Sequence, residues 1–198
     1  MFKVGDHVKV IKYNPNHGGY DVGHTGVITN VYAEGLMPYE VDNSYWQSED
    51  ELELDRKNRY FAAVTGYTPV LPTRATKKSA GYDICMLEDY TLAPEEFHKF
   101  PTGLKVYMPD DEVFIILPRS SLGIKGLFFS NTLAIIDADF ADNVDNEGHI
   151  QLILKNHSNK PLELKAGQKI AQGIFMKYGV TDDDDVDTER CGGCGSTD

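Results

Sequence analysis

Short runs in which apolar and polar residues alternate fill the chain from residue 2 to residue 178, broken every few positions by glycine, proline or asparagine. A period of two sends successive side chains to opposite faces of an extended backbone, so each run predicts a half-buried β-strand. Residues 2–54 supply "HVKVIKY", "TGVITNVYA", "PYEVDN" and "ELEL". Their close spacing predicts a small, strongly bent antiparallel barrel. Residues 60–178 continue with "FAAVTGYTPVL", "YDICML", "FHKFPTGLKVYM", "VFIILP", "LAIIDADF", "HIQLILKN" and "LELKAGQKIAQGIFMKY". No stretch sustains a 3.6-residue period, so helix is expected to be scarce. The many short strands predict an all-β jelly roll or closed sandwich.

A change of composition separates the two strand groups. "DRKN", Asp55 to Asn58, reads as a linker, which makes residues 1–55 a small first domain. Within it "VGDHVKV" and "GHTGVITNVY" resemble the opening strands of SH3-like or KOW-type barrels, with Val4, Val8, Val10, Val27 and Ile28 expected to face inward. Residues 1–58 hold ten acidic against five basic side chains, which disfavours a nucleic-acid role for this module. A stability or assembly appendage and a protein-binding module stay open as alternatives, since fold does not fix function. At the other end "DDDDVD", Asp182 to Asp187, has no apolar face and reads as a solvated tether. It lacks the spacing, glycine and glutamate of an EF-hand calcium loop.

Charge and cysteine usage narrow the function. The chain has 198 residues, 41% of them hydrophobic, enough for one good core or a moderate core with a small accessory one. A net charge of -12 argues against extended contact with nucleic-acid backbones, which demand dense Lys and Arg. No apolar run approaches the roughly 18 residues of a membrane span, and "MFKVGDHVKV" is too polar for a signal peptide, so a cytoplasmic protein with no membrane partner is expected. An odd number of cysteines, three, argues against a disulfide framework.

Five separated strings hold the candidate chemistry. "SAGYDI", Ser79 to Ile84, sets Asp83 beside a glycine turn. "PRSSLGIKG", Pro118 to Gly126, follows an apolar strand with Arg119, Ser120, Ser121 and free backbone N–H groups, the parts of an anion cradle. "NTLAIIDADF", Asn131 to Phe140, places Asp137 directly after an apolar run, where a general base would be firmly held. Phe140 follows, able to cover a flat ligand or to face the core. "GQKIAQ", Gly167 to Gln172, adds Lys169 and Gln172. Last, "ERCGGCGSTD", Glu189 to Asp198, admits three readings from its residues: a zinc clip, a redox dithiol, or a glycine-rich phosphate lid led by Arg190.

In this order and with these gaps, the five strings resemble the five motifs of the homotrimeric dUTPase family, over roughly residues 59 to 198. The resemblance implies a jelly roll at residues 59–180, a tether and phosphate lid at residues 181–198, and a homotrimer with active sites shared between subunits. It implies hydrolysis of dUTP to dUMP and pyrophosphate. Asp137 would activate the in-line water. Arg119, Ser120, Ser121, Lys169 and Gln172 would meet the triphosphate, with Arg190, Gly195 and Ser196 clamping its γ end. Asn131 and the backbone at Ile135 and Ile136 would read uracil, aided by Gln151, while Phe140 covers the sugar. Mg2+ would ride in on the nucleotide, with Asp83 near its water shell.

Three features depart from the family pattern. Cys194 stands where an aromatic residue normally stacks on uracil, a loss on the order of 1–3 kcal/mol by analogy with base stacking elsewhere. Phe140 replaces a common tyrosine. "ADNVDNEGHI", Ala141 to Ile150, is a longer hairpin tip, and its acids Asp142, Asp145 and Glu147 are expected to be solvated, with a partner contact as the alternative. The nearest rival, dCTP deaminase, shares the fold but uses a glutamate where this chain has Ile153, which cannot shuttle protons. A nucleotide-gated regulatory protein that uses the first domain as its hook for a protein partner is the alternative from another class.

Overall fold

The computed structural model describes residues 2–16, 18–32, 38–55, 59–188 and 190–193. The chain forms two compact units, residues 1–58 and 59–198. In the first, β1 (His7–Val10), β2 (Thr25–Val31), β3 (Tyr39–Val41), β4 (Tyr45–Gln47) and β5 (Leu52–Leu54) make one antiparallel sheet in the order β4-β3-β2-β1-β5. A 3-10 turn, Glu49–Glu51, joins the last two strands. Alternation decides the core: Val8, Val10, Ile28 and Val41 are fully buried, joined by Tyr39 and Leu52. Two of the expected inward residues are not there. Ile28 takes the inward register, so its neighbour Val27 is turned to the other face and is only half-buried, and Val4 lies in the turn before β1, 63% exposed. Gly26 marks a close crossing, since a Cβ there would sit 2.6 Å from Val41 Cγ1.

The second unit contains β6 (Tyr60–Ala63), β7 (Thr73–Arg74), β8 (Tyr82–Cys85), β9 (Tyr90–Leu92), β10 (Phe97–Pro101), β11 (Leu104–Tyr107), β12 (Glu112–Pro118), β13 (Leu127–Phe129), β14 (Ala134–Asp137), β15 (Gln151–Asn156), β16 (Leu162–Leu164) and β17 (Lys169–Lys177). One helical turn, α1 (Ser120–Gly123), follows β12. A five-stranded sheet runs β14-β12-β17-β8-β7 and a three-stranded one β10-β15-β13, with the pairs β11-β6 and β16-β9 completing the unit. Every strand pair is antiparallel.

The two larger sheets share one core. Ile84, Phe114, Ile116 and Ala171 from the first meet Phe100, Leu127, Phe129, Leu152 and Leu154 from the second. In β12 the alternation is strict over Glu112, Phe114 and Ile116, all buried. Glu112 is the exception to the apolar rule, and it is satisfied by two hydrogen bonds from the guanidinium of Arg59. Gly173 of β17 lies against the ring of Phe114, leaving no room for a side chain.

The hairpin from Ala141 to Ile150 corrects an expectation. Its acids are not merely solvated. Asp142 accepts from Lys105 Nζ at 2.5 Å and from the Tyr107 hydroxyl at 2.7 Å. The Lys105 side chain is only 7% exposed, so it requires a counter-charge, and the hairpin supplies it. Glu147 accepts from the backbone N–H and the hydroxyl of Thr65. Asp145 accepts from the N–H of Gly193 at 2.7 Å. These contacts pin the tip to β11 and to the chain's own C-terminal arm.

Candidate functional site

The register of the five-stranded sheet gathers four of the sequence-predicted residues at one end. Gln172 of β17 lies opposite Asp83 of β8, and Pro118, at the end of β12, lies opposite Ala171. Ile84 points into the core, so its neighbour Asp83 must face the other way. There it is buried instead by two cations: Lys169 Nζ stands 2.7 Å from Oδ2 and Arg119 Nε 3.5 Å from Oδ1. Gly81 lets this end close up, because a Cβ there would lie 2.8 Å from the Gln172 side-chain oxygen. Both cations keep part of their surface open, 35% and 45% of each side chain, so each can turn a face to a ligand while Asp83 holds its other side.

Arg119 also starts α1. Its carbonyl accepts from the N–H groups of Leu122 and Gly123, which leaves the N–H groups of Ser120 and Ser121 at the opening of the helical turn without intrahelical acceptors. Two exposed serine hydroxyls and two open amides beside paired cations suit a polyanion. Next to them Cys85 is half-buried, and burial pushes its thiol up, against the opposing pull of Lys169 and Arg119.

Asp137 lies elsewhere. It ends β14 and pairs across the sheet with Val113, six residues before Arg119 on β12. At about 3.3 Å per residue the two are roughly 20 Å apart within one chain. Around Asp137 the structure assembles a second group. Arg190 of the C-terminal arm donates to Asp137 Oδ2 at 2.7 Å and to Asp139 Oδ1 at 2.8 Å, with its guanidinium 5.7 Å from the Phe140 ring centroid. Phe140, offered as a cover for a ligand, is 6% exposed and belongs to the core, because the 3-10 turn Ala138–Phe140 directs its ring inward. Ile136 is buried while Ile135, next to it, is 60% exposed.

β14 is an edge strand. Alternate residues of an edge strand direct N–H and C=O groups away from the sheet, where a ligand with a matching edge can take them. Asn131 is exposed in the turn entering β14, where Thr132 holds a φ of 68°. Gln151 is half-buried at the start of β15. Sequence reasoning passed over Asp139 and read Asp145 as a solvated turn acid, yet both hold the arm. The signal available was weak, an acid two residues past Asp137 and another in a tip that reads as turn. Cys194, Gly195 and Ser196 lie outside the described residues.

Among the described residues no group of three or more His, Cys, Asp or Glu side chains is placed to hold a metal ion. Both oxygens of Asp83 face cations, so the donor set does not fit a resident magnesium ion.

An antiparallel β fold with a cation pair and open amides at one sheet end, and an exposed carboxylate at the other, defines a phosphate-handling sandwich of the jelly-roll type. The dUTPase family model matches residues 69–196. The deoxyuridine 5′-triphosphate nucleotidohydrolase of Lactococcus lactis subsp. lactis is 41% identical over 147 residues, 71% of this chain and 98% of that protein. The protein of the same name from Haemophilus influenzae is 37% identical over 110 residues, 54% of this chain and 69% of its own. The crystal structure of dUTPase from Streptococcus mutans superposes with a TM-score of 0.59 at 37% identity, covering 62% of this chain and 98% of that one. The chain belongs to the dUTPase family.

Proposed function

We propose that this protein hydrolyses dUTP to dUMP and pyrophosphate, with the work divided between the two ends of the five-stranded sheet. The observation that carries the reading is Asp83, buried between Arg119 and Lys169, which makes a preset pair of half-open cations beside the amides of Ser120 and Ser121. Such a cradle suits the charge on a triphosphate, and Gln172 adds an amide to it. Asp137 takes the proton of a water placed in line with the α-phosphorus. Uracil docks on the free edge of β14, where the one of Ile135 and Ile136 whose backbone N–H and C=O turn outward pairs with its polar edge and Asn131 and Gln151 flank it. A cytosine there would leave donors and acceptors unpaired.

A cradle and a base about 20 Å apart cannot serve one substrate within one chain. A second copy that brings its Asp137 to the first copy's Arg119 resolves this, which supports sites shared between subunits, as in the homotrimer that the family resemblance implies. Magnesium belongs to the substrate in this reading. A hard ion bound to phosphate oxygens and water requires no protein cage. Asp83 then acts on the cations and not on the metal's water shell. No helix among the described residues is long and apolar enough to cross a membrane, and a cytoplasmic setting fits this chemistry.

We read residues 1–55 as an SH3-like barrel, with a protein-binding role and an assembly role both open to it, residues 59–180 as the catalytic jelly roll, and residues 181–198 as the tether and lid. The strand order β4-β3-β2-β1-β5 with a 3-10 turn before the last strand supports the first of these. Pyrophosphate release against dUTP, dCTP, dTTP and UTP with magnesium tests the activity. dUTP alone is expected to turn over, and Asp137→Asn to lose roughly 10²–10⁴-fold. Ammonia from dCTP, or an Asp137→Asn protein as fast as its parent, would refute the assignment.

A further inference from the structure

The first unit carries an aromatic ledge beside its core. Tyr45 opens β4 opposite Val41 of β3 and is 47% exposed. Its ring meets Tyr20 edge-on with centroids 4.9 Å apart, and Tyr20 is stacked on His24 at 3.6 Å. One carboxylate is fixed against this group. Asp42, in the turn between β3 and β4, has Oδ2 3.1 Å from His24 Nε2 while Oδ1 accepts the N–H of Val27 at 2.9 Å. Below lies an unmet donor. Gln47 shares the face of β4 that carries Tyr45 and is 2% exposed, and its Nε2 is the one buried side-chain polar atom among the described residues with no hydrogen-bond partner. Gly19, the chain neighbour of Tyr20, lies against that nitrogen, since a Cβ there would stand 2.4 Å from it. Charge is uneven as well: Lys9 and Lys12 are engaged by Glu53 and Asp50, whereas Asp42, and Asp21 next to Tyr20, have no Lys or Arg partner among the described residues.

We propose that the ledge of Tyr20, His24 and Tyr45, with Asp42 at its corner, receives an extended basic peptide segment of a protein partner. Three kinds of group select that occupant. Tyrosine rings attract a cation and carry its apolar stem, and Asp42 supplies the counter-charge. A buried donor left unmet costs about 1–3 kcal/mol, which a peptide carbonyl entering beside Gly19 would recover at Gln47 Nε2. The same carboxylates repel the phosphates of a nucleic acid. This occupant takes up the protein-binding role open to residues 1–55, and it is independent of dUTP hydrolysis.

Fluorescence anisotropy of a short labelled peptide of alternating arginine and proline, which proline keeps extended, reads the docking when full-length protein is added. At about 0.15 M salt, attraction to the exposed acids of Asp182–Asp187 is largely screened. Saturable binding is expected, with none for the matching peptide of glutamate and proline. Tyr45→Ala should weaken it about tenfold, as loss of an aromatic anchor does. Asp42→Asn, which keeps an acceptor for the Val27 N–H, should weaken it about fivefold. No saturable binding, or parent-like affinity in both variants, overturns the proposal. If those variants also form a smaller oligomer by light scattering at parent-like affinity, the ledge is a contact between subunits and the partner is refuted. Failure of dUTP hydrolysis in the parent would sink the assigned activity and leave the peptide titration standing.

Discussion

Asp83→Asn removes one charge and almost no volume, which isolates the role of that carboxylate. At an effective dielectric constant near 20, attraction at 2.7 Å and 3.5 Å is worth about 6 and about 5 kcal/mol gross. Most of that is offset. Lys169 and Arg119 are 45% and 35% exposed and rehydrate when the charge is lost, and the asparagine oxygen still accepts one hydrogen bond. The net loss of stability is expected to be about 1 kcal/mol, a fall in melting temperature of roughly 3 °C. The larger effect is on binding. Without the negative charge between them the cations repel and swing into solvent, and the KM for dUTP rises about tenfold, equivalent to about 1.4 kcal/mol, with kcat less affected.

Steady-state kinetics at several magnesium concentrations decide between the two roles open to Asp83. If it spaces the cations, the magnesium concentration for half-maximal rate stays where it is in the parent. A tenfold rise in that concentration, with nucleotide affinity unchanged once the ion saturates, would refute the cation-spacing argument and return Asp83 to the metal's water shell. Inorganic tripolyphosphate as a competitive inhibitor gives a second reading, since it needs the cradle alone; its inhibition constant should rise with the KM.

Three other outcomes follow from the packing. Gly173→Ala would drive a methyl to 2.0 Å from Phe114 Cζ in a fully buried site, so urea unfolding is expected to show a loss of about 1–3 kcal/mol or more, partly recovered in the Gly173→Ala, Phe114→Leu double variant. His149 accepts the Gly103 N–H through Nε2 at 2.9 Å, and burial first, then Lys99, holds its pKa below the ordinary 6.5. A lowered folded pKa means a stabilisation fully present above pH 6.5 and lost as pH falls from there through the folded value. His149→Gln, which still offers an acceptor but does not titrate, should flatten that slope in unfolding measured from pH 5 to pH 8. Removal of residues 1–58, a unit with its own core, is expected to leave dUTP hydrolysis intact; loss of activity together with a smaller oligomer by light scattering would tie that unit to assembly.

Period-two patterning was enough to place most strands, because burial parity is a local property: "QLILKN" alternates half-buried and buried over its whole length, as its spacing requires. It was silent where a strand is too short to show a period, as in β7, and it misplaced Val27, because "VI" in β2 offers two apolar neighbours and only packing decides which one turns inward. The candidate site was legible as residue types in order, yet not as pairings. Asp83 looked like an acid in a turn. Its burial depends on Lys169, 86 positions later, and on Arg119, and no local pattern encodes a cation that arrives from another strand. The hairpin acids were misread for the same reason. Asp142 is an ordinary turn aspartate until β11 places the buried ammonium of Lys105 beneath it. Charged residues at turns are therefore the positions where sequence reading underestimates structure, since whether such a side chain is solvated or holds the fold depends on the neighbour the topology delivers.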